Sequence, residues 1–271
     1  MLTKISRCSL VVVASLTFAG VASTASATHS WGGYHWARTA NPAAVKLGNN
    51  VSGADWTTAL NTASAGWSAS DVLNTSVVAG LANPRNCRPT SGRVEVCNSR
   101  YGNNGWLGIA SIWITGGTHI TQGTVKLNDY YFNTSTYNTP EWRALVTCQE
   151  IGHTFGLDHQ DENFNNANLG TCMDYTNDPS TNQQPNAHDY EELDIIYNPS
   201  YGGHLDSTTT IGQKVGNNFA ADIDTNDARN WGQLVKVSNG GRTAIYELDL
   251  GGSHKIVTFV TWAEANSNRP R

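Results

Sequence analysis

Residues 148–160 read Cys-Gln-Glu-Ile-Gly-His-Thr-Phe-Gly-Leu-Asp-His-Gln. On a helix, positions 149 and 153 lie one turn apart, so Gln149 and His153 point the same way and can share one metal ion. Glu150 sits beside them, placed to take a proton from a water held by that metal. Gly156 permits a sharp turn that brings His159 back as a third donor. Three protein donors leave a fourth position open, which separates a catalytic metal centre from a structural one. Fourteen residues beyond His159 stands Met173, in Thr171-Cys172-Met173-Asp174-Tyr175, and apart from Met1 it is the sole methionine of the chain.

The spacing resembles the extended zinc-protease pattern H-E-x-x-H-x-x-G-x-x-H, with Gln149 in place of the first histidine. With Met173 at the distance of a methionine turn, residues 28–199 resemble a secreted metzincin, closest in layout to a matrixin-like catalytic domain. That resemblance implies a zinc endopeptidase that cleaves extended protein or peptide substrates alongside an edge strand, here the edge-like segment 123–128. It assigns His153 and His159 as Zn2+ ligands, Gln149 to the remaining ligand position and Glu150 as general base. A Met-x-Tyr order is closer to astacins and serralysins, and by that likeness Tyr175 assists the metal or the oxyanion. Gln149 is the departure, because an amide oxygen is a poorer donor than imidazole. Three readings stay open. Gln149 binds zinc through its oxygen; Asp161, His119 or His188 completes the shell; or the site is degenerate, and the chain is a noncatalytic secreted binding protein on a protease scaffold.

Thr139-Pro140-Glu141 predicts the start of the motif helix: a hydroxyl cap, proline at the first helical position, then an acid. The helix should run to about Phe155 and stop at Gly156. Trp56, Ala59, Leu60, Ala63 and Trp67 recur at helical spacing and predict an amphipathic helix over 54–67. Strands are expected at 34–38, 77–79, 106–114 and 123–128, and a closing helix at 186–197. The sum is an α+β fold: a twisted mixed sheet with an edge strand, an active-site helix, a methionine turn and a closing helix. After Pro199 the texture becomes rich in Gly, Asn and Thr, with hairpin signals at Asn239-Gly240 and Gly251-Gly252. The expected division is therefore 1–27, 28–200 and a small β-rich region at 201–271, either a separate module or a cover for the main domain.

The first of these divisions reads as an export signal. Lys4 and Arg7 precede an apolar run over 10–22 and the small-x-small site Ala25-Ser26-Ala27, which predicts cleavage after Ala27 and a secreted, extracellular product. Cys8 departs with the signal, leaving Cys87, Cys97, Cys148 and Cys172 for an oxidising compartment. Four cysteines allow three pairings; Cys87–Cys97 and Cys148–Cys172 are expected, since each closes a local loop. Pro84-Arg85-Asn86-Cys87 is similar to the cysteine switch of latent matrixins, but nearby Cys97 makes a disulfide the expectation.

Composition narrows the remaining classes. Of the 271 residues only 14% are charged, against about 25% in an average soluble protein. A net charge of −5 without a basic patch argues against nucleic acid. A mean hydropathy of −0.39 and the lack of a second long apolar run argue against a polytopic membrane protein. A monomer with no membrane contact after signal cleavage is expected. The alternating oxygens of 161–165 suggest a Ca2+ loop. That loop lacks glycine at its sixth position (Asn166) and an acid at its twelfth (Cys172), so turn chemistry is the expectation. Trp56, Trp67, Trp113 and Trp142 read as core, and His35, His119, His188 and His204 as singly placed.

Overall fold

The computed structural model describes residues 28–203, 205–206, 220–238 and 240–263. The expected signal segment 1–27, His204, and Asn239 of one hairpin signal lie outside them. Among the described residues the protein is an α+β fold built on one nine-stranded mixed sheet. In chain order the elements are β1 (His35–Trp36), β2 (Ala43–Asn50), α1 (Ala54–Trp67), β3 (Leu73–Ala79), β4 (Arg93–Ser99), β5 (Trp106–Thr115) and β6 (His119–Asn128). They continue with α2 (Asp129–Phe132), α3 (Pro140–His153), α4 (Ala187–Tyr197), β7 (Gln233–Val237), β8 (Thr243–Gly251) and β9 (His254–Trp262). The sheet order is β3-β2-β4-β6-β5-β9-β8-β7, with β1 pairing on β6.

The sheet has two halves of opposite character. β2 pairs in parallel with β3 and β4, and β4 in parallel with β6. Parallel neighbours need a crossover connection, and α1 supplies it between β2 and β3. From β5 onward every pair is antiparallel, as tight turns such as Gly252-Ser253 between β8 and β9 allow.

α1 and α3 pack together, α1 on β3 and α3 on β5 and β6. The main core fills the space beneath them, with Leu47, Trp67, Val96, Ile112, Val125, Val146, Phe155 and Met173 all buried. A second cluster of Trp106, Ile109, Trp231, Tyr246, Val260 and Trp262 is separate from it. Leu107 and Ala110 both join the main core despite their odd spacing along β5. The reason is a register shift against β9 between Trp106 and Gly108, since an extra residue resets the alternation of faces.

Two expectations need correction. The segment 123–128 is not at an edge: it belongs to β6, which lies between β4 and β5 and is buried along its whole length. β5 pairs antiparallel beside it and is itself covered on its other side by β9. The division at residue 200 is also crossed by the sheet, because β9 pairs with β5 from Trp106–Trp262 to Ile114–Lys255. The C-terminal strands therefore complete the same sheet rather than form a separate module.

Candidate active site

The motif helix α3 begins as its sequence predicts. Thr139 caps it by accepting the Trp142 N–H at 3.3 Å, and Pro140 occupies its first turn. At the other end the freed carbonyls find ring donors: Trp36 Nε1 donates to the Thr154 carbonyl at 2.9 Å, and Tyr197 Oη to that of Phe155 at 3.0 Å. Gly156 follows with φ of 93°. A side chain there would collide with the Tyr34 carbonyl, so the turn needs glycine on both counts.

That turn brings the two predicted histidines together. His153 Nε2 and His159 Nε2 lie 3.2 Å apart, with both residues buried. His153 Nδ1 is 2.8 Å from the Leu157 carbonyl, which can only accept, so Nδ1 carries the proton and Nε2 offers its lone pair. His159 Nδ1 faces the Tyr175 hydroxyl at 2.9 Å and Asp158 Oδ1 at 3.3 Å. Two lone pairs thus converge on one point, an arrangement that a cation between them would satisfy. Burial, then the neighbouring His159, pushes the His153 imidazole down to about 3, so it stays neutral and able to donate.

Glu150 is completely buried, and neither carboxyl oxygen has a hydrogen-bond partner among the described residues. Burial pushes its carboxyl up to about 8; Thr261 and the Ala110 amide oppose that shift without closing a hydrogen bond of normal geometry. Its room is made by Gly108 of β5, where a Cβ would sit 2.6 Å from Glu150 Oε1 and 2.8 Å from Val146 Cγ1. Gln149 is buried too, and its Oε1 accepts from the Thr261 hydroxyl at 3.2 Å. Beside it lies a small cavity of about 20 Å3, lined in part by Leu107, Val146, Gln149 and Tyr175.

Met173 lies under α3: a Cβ on Gly152 would meet its sulfur at 2.7 Å and the Trp67 ring at 2.6 Å. Its carbonyl accepts the Gln160 N–H at 2.7 Å, fastening the segment that carries His159. Both expected disulfides are formed, Cys87–Cys97 and Cys148–Cys172. The second ties α3 directly to this turn. Tyr175 is buried, and burial holds its phenol well above the usual range; its hydroxyl meets His159 and Thr243.

The substitute ligands are turned elsewhere. Asp161 caps its own loop, accepting the Asn163 N–H at 2.9 Å. Asn163 caps Asn165 in the same way at 3.0 Å, so this segment has the turn chemistry expected of it. His119 stands with His35 and with Asp206 at 3.3 Å, and His188 stacks on His29 at 4.9 Å.

The residues that sequence reasoning missed lie on the other side of His159. Asp158, His159 and Glu162 bring three donor atoms within 4.8 Å of one another, a group able to hold a metal ion. Lys236 of β7 already bridges its two carboxylates, at 2.6 Å from Asp158 and 2.7 Å from Glu162. Burial would raise the Asp158 carboxyl, but its bonds to His159 and Lys236 win and hold it well below the usual range. Adjacency to a motif histidine was the signal available for Asp158; nothing near the motif pointed to Lys236, Phe259 or Thr261.

No family model matches the chain, and no curated protein matches it either. Among the described residues no helix is long and apolar enough to cross a membrane.

Proposed function

We propose that the chain is a secreted, metzincin-like, zinc-dependent metalloendopeptidase. The observation that carries this reading is the pair of imidazole Nε2 atoms 3.2 Å apart, each with its Nδ1 already engaged. Two nitrogens held at 2.0–2.1 Å by one tetrahedral zinc stand about 3.4 Å apart, so the spacing suits a single ion. The buried, unpartnered Glu150 beside them and the Met173 sulfur beneath α3 add support. The two disulfides fit an oxidising compartment.

His153 and His159 would hold the zinc, with the Gln149 amide oxygen in the third position. When bound, zinc supplies Lewis acidity, polarising the scissile carbonyl and easing the ionisation of water. Glu150, neutral in the metal-free chain but favoured as a carboxylate by the charge of a bound cation, would take a proton from the attacking water as the water oxygen joins the carbonyl carbon. It passes that proton to the amide nitrogen as the C–N bond breaks, leaving a free amine and a carboxylic acid, which ionises by releasing its own proton to solvent. The Leu157 carbonyl, Asp158 and Tyr175 keep both imidazoles in the donor tautomer.

Metal analysis tests this reading. The purified chain should carry about one zinc, retained in Glu150→Ala and lost in His153→Ala. Zinc kept after His153→Ala would place the ion on Asp158, His159 and Glu162 instead. A chain that neither contains nor takes up zinc would refute the proposal.

A further inference from the structure

We infer that the end of β9, residues 259–262, is an internal inhibitor occupying the place of an extended peptide substrate along β5. This rests on the metallopeptidase reading. A substrate recognised by strand addition pairs with the free N–H and C=O groups of a sheet edge. β6 covers one side of β5, and β9 covers the other. Thr261 stands opposite Gly108, the residue that cradles Glu150, and Phe259 stands opposite Ala110. The strand therefore lies on the part of β5 nearest the base.

Its side chains and those of its neighbours engage the site member by member. The Phe259 ring stacks on His153, with centroids 4.4 Å apart and planes 5° from parallel. The Thr261 hydroxyl donates to Gln149 at 3.2 Å. Thr243 of β8 bonds Tyr175, and Lys236 of β7 neutralises Asp158 and Glu162. Arg242, Thr243, Thr261 and Trp262 also wall the cavity beside Gln149. Glu150 and His153 are each 0% exposed. A base and a ligand with no surface cannot meet a protein substrate, so the closed chain is latent, and displacement of the β9 end opens it.

Full-length variants test this directly. Ile109 and Val260 are register partners whose side chains lie in the second core, outside the cluster that holds the motif helix. Ile109→Cys with Val260→Cys should lock β9 down, whereas Phe259→Ala and Lys236→Glu should loosen the cover. With zinc bound, cleavage of an unfolded casein-derived peptide should rise at least tenfold in the loosened variants. It should fall at least tenfold in the oxidised double-cysteine variant relative to either single-cysteine variant. Capture of zinc by a chelator should change in the same directions. In zinc-free protein, the same peptide should bind the loosened variants and not the locked one. Equal cleavage by zinc-loaded locked and loosened variants would overturn the inference, as would equal peptide binding by their zinc-free forms. Absence of zinc from every variant would instead sink the metallopeptidase reading, and the peptide-binding comparison would still decide whether β9 covers a peptide site.

Discussion

Replacing Glu150 with glutamine keeps the shape of the neutral acid while removing its titration. In the metal-free chain burial pushes the carboxyl from 4.5 up to about 8. Between those values the folded chain holds a proton that the unfolded chain has released, so stability falls as pH rises. Each unit corresponds to about 1.4 kcal/mol, and the whole window to about 5 kcal/mol as an upper figure. His153 works in the opposite sense. Its imidazole is pushed down from 6.5 to about 3, so over that interval it is the unfolded chain that holds the extra proton, and stability rises with pH. The two slopes offset each other between 4.5 and 6.5 in the native sequence, which would conceal Glu150 in a single pH profile. The difference between Glu150→Gln and the parent cancels the histidine and isolates the carboxyl. Urea unfolding in the presence of a chelator, at pH 5, 6, 7 and 8, should show the variant gaining roughly 1 kcal/mol on the parent per pH unit. A pH-independent difference would mean that Glu150 is solvated and ionised in the folded chain, and the buried-base geometry would be refuted.

Gly152→Ala should cost about 2 kcal/mol by overpacking Trp67 and Met173; a cost near zero in thermal or urea unfolding would show that Met173 does not support α3. Cys148→Ser with Cys172→Ser opens a bridge of sequence separation 24 and should cost about 3.5 kcal/mol by loop entropy, measured by urea unfolding under non-reducing conditions. Gln149→His should tighten zinc binding by roughly tenfold, because imidazole is the better donor; unchanged affinity in a chelator competition would exclude position 149 from the metal shell.

What the sequence made legible was local. The Thr139 cap, the one-turn spacing of Gln149 and His153, the Gly156 turn and the two short-range disulfides depend on residues close in the chain, and each stands where its pattern put it. β2 and β4 escaped for a physical reason. β4 buries Arg93 and Glu95 as an ion pair at 3.0 Å, and Gly48 of β2 leaves the space for both side chains. A strand that buries paired charges does not announce itself by apolar alternation. The cover was less legible still. Phe259 meets His153 only because Val260 pairs with Ile109, and no local pattern encodes a register between segments so far apart.

Gln149 and the covering strand bear on one another. An imidazole nitrogen has a single lone pair, so a histidine at 149 could not accept from Thr261 and donate to a metal with the same atom. An amide oxygen has two. Gln149 Oε1 can take the Thr261 hydroxyl, as it does here, and keep a lone pair for a cation. The residue that weakens the metal-binding pattern is therefore one that lets a ligand position and a covering strand share a single atom. On the proposed reading the missing histidine is a feature of a latent site, and weaker metal binding is its cost. The two properties should then separate in Gln149→His: the metal is held more tightly while the hold of Thr261 on the site is lost.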